Sequence, residues 1–355
     1  MLTTGTRNEI PFVNTVKVFA IFLVVLGHLP VSSNVYSFIN SFHMPVFFLI
    51  SGYLMPSDLG SFLSFAKKKA KALLIPYLFF AFVSFVFWYF IGRKFGNDSL
   101  DEQNTSVVLK YIIGIFWAIP SKDYLGFNFP IWFLPSLFCS EIMFYGIRKY
   151  FKKPKYLPFL MCLIAFSVGI LFGKMQIARL PFGIDVSFFA LLFIFTGNWL
   201  KENKLVETFI CNKKLMYKIF FTIVFGGLTF YISCINGAEG QISMVHRHFN
   251  NYLLYLVSAF SGVLCILFLG NCMPDYRLFH FYGRNTIIIL GSHLMCFSLL
   301  KAVQLFIFHV PVETANGGLL LNTIYAISTF ILLAPVIYLI NKYAPVIIGR
   351  KKGIL

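Results

Sequence analysis

Ten apolar stretches, near residues 11–30, 38–55, 73–91, 130–147, 156–173, 183–200, 215–233, 250–270, 286–307 and 318–340, are each long enough to cross the roughly 30 Å of a bilayer's hydrocarbon. In hydrocarbon the backbone must satisfy its own polar groups, so an open run of such stretches can only be helical. The expected fold class is therefore all-α, a polytopic membrane helix bundle of about ten transmembrane helices. With 58% hydrophobic and 12% charged residues and a mean hydropathy of +0.78, the chain has too little polar surface to cover a soluble fold. An eleventh apolar stretch, 107–119, is short for a span and suits an interfacial or re-entrant segment better.

The formal charge of +17 raises nucleic acid as a partner. The Lys and Arg residues, however, stand in short clusters between apolar runs, where topology alone places them. Ten spans with a cytoplasmic N-terminus put twenty of the 30 basic residues inside, at Arg7, Lys67–Lys71, Arg148–Lys155, Lys201–Lys214, Arg277, Arg284 and Lys342–Lys352. Seven remain outside: Arg93, Lys94, Lys110, Lys122, Lys174, Arg179 and Arg247. The expectation is a multi-pass protein of the cell inner (plasma) membrane, with both termini cytoplasmic, membrane lipids as partners and no nucleic acid. The first apolar run lacks a small-residue cleavage site and reads as a retained helix rather than a signal peptide. Residues 59–72 suit an amphipathic helix in the inner interface. Residues 92–129 form the longest outer excursion, whose Asp98, Asp101 and Glu102 read as a solvated cluster without chemistry. The seven Cys are scattered without ligand spacing, so neither a disulfide framework nor a metal site is expected. The whole chain, 1–355, is read as one integral membrane domain, and its oligomeric state is not encoded in any pattern.

Ionisable residues inside spans are the candidates for function, because each costs at least about 2.5 kcal/mol to insert. Lys17 and His28 lie eleven residues apart in the first span, on nearly the same helix face and about 16 Å apart along the axis. The alternatives are a lysine that snorkels to the headgroups and a histidine in the outer interface. Glu141 in the fourth span needs a cationic partner or water, and Lys17, His28 and His293 are the candidates for pairing. Ser51 and Gly52 are small residues inside the second span that allow close helix approach or leave room for a thin ligand; no acid or base at helical spacing activates Ser51. Lys67, Lys68, Lys69 and Lys71 can serve an anionic cofactor or simply topology and anionic lipid. His43 and Trp132 lie near the outer surface, where an interfacial role competes with contact to a sugar.

The ordered stretches VNTVKVFAIFLVVLGH, FHMPVFFLISGYL, FAKKKAKALLIPYL, PIWFLPSLF and GRNTIIILGSHL together resemble acyltransferase family 3, a family of integral membrane acyltransferases, and most closely its fucose 4-O-acetylase-like branch. They run from about Asn14 to His293. The resemblance implies that Lys17 and His28 occupy the family's basic-to-His motif, with Lys in place of the usual Arg and Asn14 in place of the usual Asp. Lys gives up the planar, bidentate grip of a guanidinium, and Asn14 can hydrogen-bond Lys17 but cannot neutralise it. Glu141, Phe144 and Tyr145 fit the family's ExxFY pattern, the lysines 67–71 its basic motif, and His293 its late histidine after the turn Tyr282–Asn285.

The implied activity is a membrane O-acyltransferase that moves an acetyl group from cytosolic acetyl-CoA, its co-substrate, to a hydroxyl of a cell-surface glycan or its lipid-linked precursor. The expected catalytic residues are His28 as general base, Lys17 holding or polarising the donor, and Glu141. Asn14, His43, Ser51, Gly52, Trp132 and His293 are candidates for the substrate passage, and Lys67, Lys68, Lys69 and Lys71 for acetyl-CoA. The competing reading is a transporter, flippase or export component for a lipid-linked sugar, which the lack of Gly/Pro-interrupted helices in matching halves disfavours.

Overall fold

In the computed structural model, which describes residues 10–93, 105–151, 153–307, 309 and 318–350, the chain is helical almost throughout. Asp98, Asp101, Glu102, Arg7, Lys94, Lys152, Lys351 and Lys352 lie outside the described residues. The helices are α1 Pro11–Gly27, α2 Ser33–Tyr53, α3 Phe62–Phe87, α4 Thr105–Trp117, α5 Lys122–Leu125, α6 Phe133–Tyr150 and α7 Leu157–Lys174. They continue as α8 Ile184–Glu202, α9 Leu215–Gly237, α10 Tyr252–Cys272, α11 Arg277–Arg284, α12 Thr286–Phe306 and α13 Gly318–Tyr343. Among the described residues, nine helices are long and apolar enough to cross a membrane by length and composition. α1 is a shorter apolar helix of 17 residues, about 25 Å long. The bundle has two ends: a basic end, where α1 begins, and a histidine end, where it finishes at His28.

Sequence sets the limits of α1 locally. Pro11 occupies the first turn, where its missing N–H costs nothing, and Pro30 follows the last. The helix is packed against α2, α10, α11, α12 and α13, which makes it the interior rod of the bundle. Short residues bring the neighbours close. A Cβ on Gly52 of α2 would sit 2.0 Å from the Ile194 carbonyl of α8, and one on Gly197 of α8 would sit 1.9 Å from the Leu49 carbonyl of α2. Only hydrogen at both positions lets these two backbones touch.

One expectation changes. Residues 59–72 do not form a separate interfacial helix; Ser61 caps a single helix of 26 residues, about 39 Å long, that carries the lysines at its start and continues as the third span. The longer sequence pattern is one helix because Ala70, Ala72 and Leu73 keep the backbone regular between its basic and apolar parts. The short stretch at 107–119 forms α4, a helix of 13 residues that falls below the length of a span, as the sequence suggests. After Ala118, at φ 49°, the chain turns back through α5 and a 3-10 segment, Gly126–Trp132, that runs into α6 at the histidine end. Gly114 of α4 abuts the Tyr124 carbonyl closely enough to exclude a Cβ, and its own carbonyl accepts from Tyr77 of α3 at 3.1 Å.

Candidate active site

His28 caps the C-terminus of α1, and its Nδ1 donates to the Val24 carbonyl at 2.7 Å. A carbonyl can only accept, so Nδ1 holds the proton and Nε2 carries the lone pair. The ring is set deep among its neighbours yet keeps accessible surface. Against it lies the His293 ring of α12, 5.0 Å away between centroids and nearly edge-on at 66°. His293 is fully buried, its Nδ1 donates to the Ile289 and Leu290 carbonyls at 3.1 and 2.9 Å, and its Nε2 has no hydrogen-bond partner. His43 of α2 is also buried, donates from Nδ1 to the Ile39 carbonyl at 2.7 Å, and lies within electrostatic reach of His28. The three imidazoles, on three helices, share the same tautomer. No group of three or more His, Cys, Asp or Glu among the described residues has the geometry to hold a metal ion.

Lys17 is half-buried on α1. At helical spacing it shares a stripe with Ile21, Val24 and His28. Ile21 and Val24 line a narrow apolar void of about 30 Å³, closed on the other sides by Met44 and Phe47 of α2, Phe133 and Leu134 of α6, and Thr286, Ile287 and Leu290 of α12. The void has about the size of one water and an apolar wall. At the basic end a larger cavity of about 250 Å³ opens beside Pro11, Phe12, Thr15, Gly270, Asn271 and Asp275.

The other sequence candidates separate into different neighbourhoods. Asn14 of α1 turns to α11, where its Nδ2 donates to His280 Nδ1 at 2.9 Å and His280 Nε2 in turn meets Asp275. Gly283 makes this approach possible, since a Cβ there would lie 2.5 Å from the Asn14 carbonyl. Glu141 is 1% exposed and pairs with Lys69 Nζ at 2.5 Å, a lysine the sequence reading assigned elsewhere, and it also accepts from the Ser51 hydroxyl. Ser51 therefore has an acid beside it, supplied across helices rather than along its own. Lys69 is turned inward, while Lys67, Lys68 and Lys71 remain exposed, so the four lysines are not one patch. Gly52 makes the α2–α8 contact described above. Trp132 is buried at the end of the 3-10 segment, edge-on to Phe133.

Sequence reasoning overlooked Asn128, which anchors that segment by donating to Ser84 Oγ at 2.7 Å and to the Gly291 carbonyl, two residues before His293, at 2.8 Å. It also overlooked Asp185, fully buried at the start of α8, with Arg179 Nε at 3.1 Å and Arg247 Nη1 at 3.4 Å on one oxygen. Asp185 falls inside a predicted span, so the insertion cost that singled out Glu141 was a signal for it as well.

Comparison with curated proteins and with solved structures gives no match. The profile of the acyltransferase domain of acyltransferase family 3 matches residues 10–341, nearly the whole chain, so the protein belongs to this family of membrane acyltransferases.

Proposed function

We propose that the protein is an O-acetyltransferase that takes acetyl-CoA at the basic end and delivers the acetyl group to a glycan hydroxyl, or to a lipid-linked precursor, at the histidine end. The observation that carries this reading is the His28 geometry: a fixed Nδ1–H, a free Nε2 lone pair, and accessible surface at the end of the α1 stripe that begins with Lys17. An alcohol becomes a competent nucleophile when a base removes its proton as the new bond forms, and imidazole does this near neutral pH. Nε2 accepts the acceptor's hydroxyl proton; the alcohol oxygen attacks the thioester carbonyl; the C–S bond breaks and the thiol of coenzyme A leaves with the proton. His293, whose ring lies against His28, has both Nδ1 bonds turned to its own helix and leaves the hydroxyl proton to His28. Lys17 supplies positive charge along the thioester's path, and the apolar void between Ile21 and Val24 widens to admit the pantetheine arm. The basic end faces the cytoplasm, in a cell inner membrane, and the fucose 4-O-acetylase-like resemblance favours a sugar hydroxyl.

The test is the O-acetyl content of surface glycans, read by NMR, in cells with the protein, without it, and with His28→Ala. Acetyl signals that depend on the protein and vanish with His28→Ala support the proposal. Signals unchanged by removal of the protein would overturn it.

A further inference from the structure

The loops between α4 and α6, α7 and α8, and α9 and α10 carry more positive charge than their packing uses. Loop 238–251, between α9 and α10, is a built element: Ser243 and His248 exchange backbone hydrogen bonds at 2.8 and 3.0 Å, and Asn236 Nδ2 donates to the Phe249 carbonyl at 3.0 Å. Ile242, Met244 and Phe249 plug it into the bundle. On this base Arg247 is held at φ 57°, a conformation that costs a side-chain-bearing residue energy and persists where the surroundings enforce it. Arg179 arrives from the α7–α8 loop, whose return into α8 needs Phe182 at φ 57° and Gly183 at φ 62°. Both guanidinium groups converge on the same oxygen of Asp185.

One carboxylate faces two guanidinium groups there, which leaves a unit of positive charge. Arg247 Nη2 donates to the Ile177 carbonyl at 2.8 Å, while Arg247 Nε and Nη1 and the buried Nε and Nη2 of Arg179 make no hydrogen bond, and the Arg179 side chain keeps 18% of its surface accessible. Burial lowers the Arg179 pKa to about 10, Asp185 opposing and Arg247 adding to the effect, so the group is still charged at neutral pH and crowded by another cation. His246, next in the chain, stacks on Phe129 with ring centroids 5.6 Å apart and planes 14° apart. Asn128, next to Phe129, donates to the Gly291 carbonyl two residues before His293, whose ring lies against His28, and exposed Lys122 of the same segment lies within electrostatic reach of both His246 and His28. The other carboxylates of these loops, Asp123 and Glu239, are exposed, and Asp123 accepts from Ser121 within its own turn.

We infer that Arg179, Lys122 and the Asp185-bound Arg247 form an oxyanion site beside His28, which recognises the acceptor by a phosphate or carboxylate carried near the hydroxyl to be acylated. A guanidinium whose N–H groups are not all bonded turns toward such a group to form charge-assisted hydrogen bonds, and the flat Phe129–His246 stack gives a sugar ring a surface to lie on. The inference rests on the acyl-transfer reading for the identity of the ligand but not for the existence of the site.

Binding therefore tests it without an acyl donor. Purified protein in neutral detergent is titrated at constant ionic strength with inorganic pyrophosphate and with glucuronate, glucose serving as the neutral control, and thermal stabilisation is read. Saturable stabilisation by either oxyanion and none by glucose is expected. Arg179→Gln, in which Arg247 still neutralises Asp185, and Lys122→Gln, at an exposed position, each weaken it by about tenfold to a hundredfold. Pyrophosphate preference marks a lipid diphosphate source, glucuronate preference an acidic sugar. No saturable effect, or equal binding by both variants and wild type, overturns the site. Phosphatidylglycerol in mixed micelles that stabilises wild type and Arg179→Gln equally, in place of the two probes, likewise overturns it. Loss of binding with acetyl transfer intact in wild type and abolished in His28→Ala refutes this inference alone; acetyl transfer retained by His28→Ala refutes the acyl-transfer reading alone.

Discussion

Replacing Lys69 with Met strands Glu141. That carboxylate is 1% exposed, its Oε1 is shared by Lys69 Nζ and the Ser51 hydroxyl, and its Oε2 has no hydrogen-bond partner. Without the ammonium, one hydroxyl is left to support a buried charge, and breaking such a pair from one side costs about 3–5 kcal/mol. The opposite change is milder. In Glu141→Gln the lysine, 20% exposed on a flexible stem, can reach water, and the loss is that of one charge-assisted hydrogen bond, about 1–2 kcal/mol. Removing both charges in Lys69→Met/Glu141→Gln recovers much of the first loss, so the double mutant is more stable than Lys69→Met by about 2 kcal/mol or more. The assay is a double-mutant cycle from denaturant unfolding in mixed micelles, followed by circular dichroism. Losses that add to within about 0.5 kcal/mol would show that the two groups are independent and refute the pairing.

Three further outcomes follow from other parts of the structure. Gly52→Val drives a side chain into the Ile194 carbonyl and separates α2 from α8, so it lowers the melting temperature and yield of folded protein, whereas Ala at Gly146, where nothing lies within 4 Å, changes neither. Burial, with Arg179, Lys122 and His248 nearby, holds His246 below its usual 6.5; its neutral form stabilises the fold fully above pH 6.5, and that contribution is lost as pH falls below 6.5 towards the lowered pKa. His246→Gln therefore flattens the fall in melting temperature between about pH 7.5 and 5.5, and an unchanged slope would contradict this. A C-terminal reporter that is active only outside the cytoplasm stays silent, and a signal from it would remove the proposed orientation.

The bundle was legible because hydrocarbon leaves the backbone no choice but helix, so span after span could be read from apolar runs alone. Boundaries were less legible. The lysine-bearing start of α3 looks interfacial in isolation, and only its continuity with Leu73–Phe87 makes it part of a longer rod. At the site, Lys17 and His28 could be aligned because helical spacing is local information. Who meets them is not local: His293 comes to His28 from α12, Lys69 to Glu141 from α3, and His280 to Asn14 from α11. The tautomer of His28 also needed coordinates, since it depends on which carbonyl Nδ1 reaches. Arg179 and Arg247 look like ordinary loop cations until Asp185 is seen between them.

The most direct measurement is the initial rate of acetyl transfer from acetyl-CoA to an acceptor hydroxyl by His28→Ala in membranes, at matched protein levels, with and without added imidazole. If Nε2 of His28 takes the hydroxyl proton, the rate falls by about 10²–10⁴ and free imidazole restores part of it in proportion to its concentration. A wild-type rate in His28→Ala, indifferent to imidazole, would contradict the account.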